Sequence, residues 1–236
     1  MWHHEGRYVA VGLPKSVATI EPLSGLPIED LRLDNTQVRS LEPLRGMASL
    51  AVLSLMNVKV ADLSPLRGLR LRDIGLWGNR ATDLSPLSGM PLEAVFVGSA
   101  QTQMDGLRGA PLRRFVAQGS GFTDLQFLAG APLEVVHITD GPLSDLRPLA
   151  GSPVRELLLR GLPNVRSLAA LLEARSLEKL SLFNIKAPIE PLRQHPSLKF
   201  IRVGGGPDNY VTDRLPFKPV AEFWAEYDAQ QAAGKK

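Results

Sequence analysis

The stretch 71–91, LRDIGLWGNRATDLSPLSGMP, is one copy of a unit that recurs along most of the chain. Counted from Leu71, apolar residues fall at positions 1, 4, 6, 11, 14 and 17, and the next copy begins at Leu92. Further copies begin at Ile28, Leu50, Leu112, Leu133, Val154, Leu177 and Leu198. A period of about 21 residues predicts a solenoid, in which each unit buries its apolar face only against its neighbours.

Each unit predicts one short strand and one tight turn. Positions 3–7 alternate between outward and apolar residues, which is typical of a strand with one buried face. Positions 14–19 read Leu-Ser-Pro-Leu-x-Gly at 63–68 and 84–89, which predicts a short 3₁₀ turn. We expect Ser64 and Ser85 to cap that turn, proline to open it, and Gly68 and Gly89 to end it in the left-handed conformation.

An aspartate recurs at position 13, just before several of these turns. A calcium ladder is one interpretation. Bonding of each carboxylate to the backbone amide two residues on is the simpler one. The aspartates are Asp62, Asp83, Asp124 and Asp145.

The two ends of the chain depart from the repeat. We interpret residues 1–27 as a degenerate capping repeat, with residues 1–7 frayed and the first strand at 8–13. We assign residues 28–206 to the solenoid and 207–236 to a C-terminal segment of loop and helix. The glycine-rich loop itself is predicted at 204–215, across this boundary. Val220, Phe223, Trp224 and Tyr227 give this helix an apolar stripe, so we expect it to cover the exposed last strand. Docking to another protein is the alternative. Within the solenoid, segment 167–175 (SLAALLEAR) predicts a true helix in place of a 3₁₀ turn.

The unit resembles the leucine-rich repeat pattern L-x-x-L-x-L-x-x-N, which residues 71–79 match at every position. The L-x-P-L-x-G turn resembles the bacterial, internalin-like branch and repeats appended to bacterial serine/threonine kinases, as does the tail KPVAEFW. The resemblance implies an α/β solenoid: a curved leucine-rich repeat with a parallel concave sheet, short 3₁₀ turns on the convex side and a C-terminal capping helix. The family's asparagine is kept only at Asn79, so the other turns need other donors.

Composition excludes little and points to no reaction. Lys and Arg number 27 against 24 Asp and Glu, without a dense basic run, so we expect no nucleic-acid partner. No apolar stretch approaches the length of a membrane span, and no signal peptide is recognisable, so we expect a cytoplasmic protein without a membrane partner. Cysteine is absent, which excludes disulfides and cysteine-bound metals. We find no catalytic motif, cofactor motif or metal site. His195, before Pro196, is expected to be solvated.

Positions 3, 5 and 7 point away from the core, and the family resemblance places them on the concave face. The middle of this face is apolar and aromatic with charges around it, as in a protein interface. The alternative is that these side chains stack to stabilise the sheet, but an exposed patch of this size favours binding. The predicted partner-binding residues are Met56, Trp77, Phe96, Arg114, Val116, His137, Leu158, Arg160 and Phe183.

These patterns predict a function only as a class. Our first hypothesis is a non-enzymatic, monomeric module that binds a protein partner on its concave face. The second is a regulatory or recognition segment of a larger enzyme, such as a serine/threonine kinase or a ligase. A start at Met1 within a partial repeat favours the second hypothesis. The identity of the partner is not contained in the sequence.

Overall fold

The computed structural model describes residues 2–4, 7–204 and 216–233, with side chains from residue 11 onward. The chain divides into two compact units. The N-terminal unit comprises Met1–Phe122 and Gln126–Ala131, and the C-terminal unit comprises Thr123–Leu125 and Pro132–Lys236. Most of the glycine-rich loop predicted at 204–215 lies outside the described residues.

The N-terminal unit contains one sheet. Strands β2 to β7 pair in parallel, each with the next in sequence as far as β7. The strands are β1 (Trp2–His4), β2 (Arg7–Gly12), β3 (Asp30–Arg32), β4 (Val52–Ser54), β5 (Asp73–Gly75), β6 (Ala94–Val97) and β7 (Arg114–Gln118). The expectation of a frayed start is wrong for residues 2–4 and 7, because β1 pairs antiparallel with β2, and residues 1, 5 and 6 lie outside the described residues.

The C-terminal unit repeats this arrangement. Strands β8 to β11 pair in parallel in sequence order, and β12 adds antiparallel to β11. These strands are β8 (Val135–Thr139), β9 (Glu156–Arg160), β10 (Lys179–Phe183), β11 (Phe200–Gly204) and β12 (Lys218–Pro219). Helix α1 (Val220–Ala233) follows β12 directly.

The core consists of the repeated apolar positions. Leu53, Ile74 and Val95, at position 4 of successive units, lie in register on β4, β5 and β6 and are fully buried. In the unit that begins at Leu112, three phenylalanines replace smaller residues and pack together. The centroid distances of Phe115 to Phe122 and to Phe127 are 6.0 and 5.5 Å. Burial of these stripes is what holds each short strand in place.

The predicted 3₁₀ turns are present opposite the strands. In the N-terminal unit they are Glu21–Leu23, Glu42–Leu44, Ser64–Leu66, Ser85–Leu87, Asp105–Leu107 and Gln126–Leu128. In the C-terminal unit they are Arg147–Leu149, Ala169–Glu173 and Glu190–Gln194. Gly68 and Gly89 end their turns with φ of 77° and 76°, as predicted. The turn at Ala169–Glu173 lengthens to five residues but remains 3₁₀, so the prediction of a true helix at 167–175 is wrong.

At the two Ser-Pro-Leu turns, an aspartate and not the serine of the turn is the capping residue. The Asp62 carboxylate accepts hydrogen bonds from the Ser64 backbone N–H at 2.8 Å and from its hydroxyl at 2.9 Å, and Asp83 does the same with Ser85. These bonds lower the pKa of the Asp62 carboxyl, and the bond from the backbone N–H has the larger effect. The prediction of serine caps is therefore wrong, and the turn-forming interpretation of the aspartates is confirmed at these two positions.

One glycine marks a close approach of two successive coils. The unit that begins at Leu92 is one residue short, and Gly106 occupies its turn. A Cβ at Gly106 would lie 1.9 Å from the Leu84 carbonyl oxygen. The shortened unit therefore needs a residue without a side chain at this position.

Helix α1 packs on the last repeat, as the apolar stripe predicts. Trp224 is its buried residue, and the Arg193 guanidinium lies 4.2 Å from the indole centroid. Arg193 also pairs with Asp228, and the Tyr227 hydroxyl donates to Glu190 at 2.6 Å. The Val220 N–H donates to the Lys199 carbonyl at 3.0 Å, which joins the start of the helix to β11.

Two buried polar side chains replace the missing asparagines inside the N-terminal unit. Gln101 accepts a hydrogen bond from the Gly98 N–H and donates to the Ala81 carbonyl, both at 2.7 Å. The Ser120 hydroxyl donates to the Gly98 carbonyl at 3.0 Å. Asn79 reaches the Val58 carbonyl in the same way, so each side chain links its coil to the preceding one.

Candidate functional site

The open face of the N-terminal unit carries an apolar surface centred on Trp77. Ile74 and Leu76 are buried in the core, so Asp73, Gly75 and Trp77 point to the opposite face. Trp77 is 41% exposed, and among the described residues only one other large hydrophobic side chain, Phe200, is comparably exposed. We call the half-buried Met56, Phe96 and Val116, together with Trp77, the Trp77 surface.

Two glycines allow this surface to lie flat. A Cβ at Gly98 would lie 3.2 Å from Cδ1 of Trp77, and one at Gly75 would lie 3.3 Å from Cε of Met56. Each apolar side chain therefore leans over the glycine of the next strand. A bulkier residue at either position would push the neighbouring side chain away from the sheet.

A left-handed turn residue follows each of the strands β3, β4 and β5 at the edge of this surface. Asn35, Asn57 and Gly78 have φ of 60°, 58° and 69°. The Asn57 N–H donates to the Trp77 carbonyl at 2.8 Å, and the Asn57 side chain donates to the Asn35 side chain at 3.0 Å. This column at position 8 was not among the predicted features, although its Asn, Asp and Gly residues are those that tolerate positive φ.

The charged groups on this face differ in how they are satisfied. Asp30 pairs with Arg32 at 3.1 Å, and the Asp34 carboxylate accepts from the Ser54 hydroxyl at 2.5 Å and from the Met56 N–H at 2.9 Å. Asp73 makes no hydrogen bond or ion pair through its side chain with any described residue. Burial raises the pKa of the Asp73 carboxyl, and the nearby charge of Glu93 adds to that effect.

Arg114 and Val116, both predicted site residues, lie on β7 at the C-terminal side of the Trp77 surface. Arg114 is exposed, and Val116 is half-buried. Together with Met56, Trp77 and Phe96 they complete the predicted residues that belong to the N-terminal unit. The structure brings these five onto one face of one sheet.

In the C-terminal unit, two of the predicted site residues, His137 and Arg160, contact acidic side chains of the same sheet face or its turns. His137 Nε2 lies 3.1 Å from Glu156, and the Arg160 guanidinium pairs with Asp140 at 3.0 Å. Arg160 is mostly buried by this contact, with 16% of its side chain exposed. Neither side chain is free to meet a partner without losing an existing bond.

Two predicted residues are buried in the C-terminal unit. Phe183 has no exposed surface, and the Arg202 guanidinium lies 5.5 Å from its ring centroid. Leu158 is also buried, with 9% of its surface exposed. The prediction that these two side chains are available to a partner is therefore wrong, because strand alternation gives the direction of a side chain but not what covers it. Arg202 also lies 4.4 Å from the Phe217 ring, so the segment before α1 contributes to this covered region.

Among the described residues, no three His, Asp or Glu side chains are placed to share a metal ion. Within the same ranges, no helix combines the length and the apolar character needed to cross a membrane. His195, expected to be solvated, is buried. Its Nε2 lies 2.9 Å from the Leu171 carbonyl, and its Nδ1 accepts from the Leu198 N–H at 3.1 Å, so that expectation is wrong.

Parallel strands at a period of about 21 residues, 3₁₀ turns opposite them and a C-terminal helix form a leucine-rich repeat solenoid, a fold that is also seen in internalins. An internalin (inlF) from Listeria monocytogenes has a similar structure, with a TM-score of 0.54 and 16% identity over 82% of this chain and 74% of that one. Internalin C2 (inlC2) from the same organism aligns with a TM-score of 0.38 and 20% identity, over 82% and 70% of the two chains. No protein-family model and no curated protein sequence matches the chain.

Proposed function

We propose that the protein is a non-enzymatic interaction module that binds a protein partner through the Trp77 surface. The observation that carries this proposal is the exposure of Trp77 in the middle of a flat apolar surface. Removing apolar surface from water is favourable by about 25 cal/mol per Å². A partner that covers this surface would therefore gain binding free energy from its burial. Exposed tryptophans are also frequent energetic centres of protein interfaces.

The proposal is narrower than the one that the sequence alone supports. It retains Met56, Trp77, Phe96 and Val116, with Arg114 at the margin. It leaves out His137, Leu158, Arg160 and Phe183, because their side chains are buried or bonded within the C-terminal unit. The internalin-like fold supports an interaction role only by analogy, since a shared solenoid does not define what is bound.

Capture from native lysate tests the proposal, with a photo-crosslinking amino acid in place of the exposed Arg114, at the margin of the Trp77 surface, to identify the protein that touches this face. We expect Trp77→Ala/Phe96→Ala to lose the captured protein. Loss of one hot spot weakens an interface by about 2 kcal/mol or more, which is roughly 30-fold in affinity.

Phe200→Ala is the matched control, because Phe200 is an aromatic of similar exposure in the C-terminal unit, 39% against 41%. Circular dichroism and urea unfolding must show that all variants are folded. Retention of the same partner by the folded Trp77→Ala/Phe96→Ala variant would contradict the proposal, as would loss of the partner in Phe200→Ala alone.

A further inference from the structure

Asp73 begins β5 and lies on the same face as Trp77, which follows the end of that strand, four residues further along the chain. At about 3.3 Å per residue, the two side chains leave the sheet roughly 13 Å apart. Val52 and Ala94 stand beside Asp73 on β4 and β6, because both pair in register with it. Gly75 follows it on this face. The carboxylate therefore lies in an apolar frame with an open side toward solvent.

Asp73 differs from the other two aspartates of this face in lacking a partner. Asp30 has Arg32, and Asp34 has the Ser54 hydroxyl and the Met56 N–H. Among the described residues, nothing donates a hydrogen bond to the Asp73 side chain. A half-buried carboxylate without donors is unfavourable, because it loses part of its hydration without compensation.

The neighbouring charges do not supply that compensation. Arg72 and Arg114 act on Asp73 at a distance, and Glu93 and Asp30 oppose them. Arg114 occupies the equivalent position two strands away, with the two backbones roughly 10 Å apart, and it acts on Asp73 through its charge and not through a hydrogen bond. A cation brought into direct contact with Asp73 would therefore interact far more strongly than the fixed arginines do.

We propose that the partner of the Trp77 surface presents an arginine or lysine side chain to Asp73, while an apolar or aromatic side chain of the same segment packs on Trp77. This inference rests on the proposed function and names the chemical class of its partner: a basic polypeptide segment with an apolar residue about 13 Å from its cation. Complementary charge at this point would fix the position of the segment along the strand.

Selection from a phage-displayed library of random 12-residue peptides on the wild-type chain tests the inference. We expect the selected peptides to carry arginine or lysine together with an aromatic or aliphatic residue. Their affinities would then be measured by fluorescence anisotropy against Trp77→Ala, Asp73→Asn and Asp105→Asn. Asp105 is the matched control, because it is an exposed aspartate on a 3₁₀ turn, paired with Arg108.

Binding at least about tenfold weaker to Asp73→Asn, with Asp105→Asn unchanged, would support the inference. Rescue gives a second readout that a structural effect would not produce. A peptide whose basic residue is replaced by glutamate should bind Asp73→Lys better than it binds the wild-type chain.

Three results would overturn the inference. Peptides that depend on Trp77 but lack basic residues, or that bind Asp73→Asn unchanged, would remove the cation and leave the proposed function standing. Peptides indifferent to Trp77→Ala would contradict both. Failure to select any peptide would exclude a short basic segment as the ligand, while crosslinked capture at position 114 would still test the proposed function separately.

Discussion

The indole of Trp77 lies over the backbone of Gly98, the corresponding residue of the next repeat. A Cβ at Gly98 would lie 3.2 Å from Cδ1 of Trp77 and 3.1 Å from the Gly78 nitrogen. Both distances are shorter than ordinary van der Waals contact between such atoms. Only glycine fits at position 98 without moving the indole, so the tryptophan can lie flat on the sheet instead of standing out from it.

The first prediction follows from this contact. In Gly98→Ala, the added methyl group should displace the indole, so Trp77 becomes more accessible and the Trp77 surface loses affinity for its partner. Acrylamide quenching of tryptophan fluorescence, compared with the same measurement in a Trp77→Phe background, isolates the change at residue 77. Gly12→Ala is the control, because a Cβ there meets nothing within 4 Å. Unchanged quenching in folded Gly98→Ala would show that the glycine does not set the position of the indole.

The second prediction concerns the buried amide that replaces the missing asparagine. Gln101→Ala leaves the Gly98 N–H and the Ala81 carbonyl without their partners inside the coil. Each unsatisfied buried group costs about 1–3 kcal/mol, so we expect the two groups together to lower the free energy of unfolding by roughly 2–6 kcal/mol. Urea unfolding measures it. Gln103→Ala, an exposed glutamine two residues on, should change the midpoint little. Equal effects of the two substitutions would contradict the assignment.

The third prediction concerns the shortened unit. In Gly106→Ala, the new Cβ would lie 1.9 Å from the Leu84 oxygen, a backbone atom that no side-chain rotation can move away. We expect a loss of at least about 3 kcal/mol, at the upper end for overpacked sites. The urea midpoint should fall sharply relative to wild type and to the Gly12→Ala control. A midpoint within error of wild type would mean that the two coils separate without cost.

The regular part of the fold could be predicted from the sequence because each unit has the same needs as its neighbours. The apolar residues at positions 4 and 6 decide which face is buried in each copy, although β5 is shorter than positions 3–7 and ends at Gly75. Strand bounds at Arg114–Gln118 and Val135–Thr139 coincide with positions 3–7. Repetition averages out local ambiguity, which is why the architecture was the most predictable feature.

What could not be predicted depends on contacts between residues far apart in sequence. Phe183 has the correct alternation for the open face, yet it is covered by Arg202 from the next strand. Serine is a common capping residue, but at Ser64 the capping oxygen comes from Asp62, two residues before it. The isolation of Asp73 is likewise visible only once the partners of Asp30 and Asp34 are known. These features depend on distances of a few ångströms, which periodicity does not contain.

His195 provides a further case, with a consequence for stability. Its Nδ1 accepts hydrogen bonds from the N–H groups of Ser197 and Leu198, at 3.3 and 3.1 Å, so this nitrogen carries no proton. Its Nε2 then donates to the Leu171 carbonyl at 2.9 Å. The folded chain therefore holds the neutral imidazole in one tautomer. Burial lowers the pKa of His195, although the bond to Leu171 acts in the opposite direction.

The fourth prediction is a loss of stability in mild acid. Because the pKa of His195 is lower in the folded chain, the unfolded chain binds the proton more readily, and stability rises with pH. The contribution should be complete above the ordinary histidine pKa of about 6.5 and should be lost as the pH falls through the lower folded-state value. We expect the urea midpoint of the wild type to fall between pH 7.5 and pH 5. His195→Asn should be less stable at pH 7.5 but should lose less on acidification. His137→Gln is the control, because it retains His195 and should keep the part of the fall in urea midpoint that His195 causes. An equal fall in urea midpoint in His195→Asn and wild type would contradict the prediction.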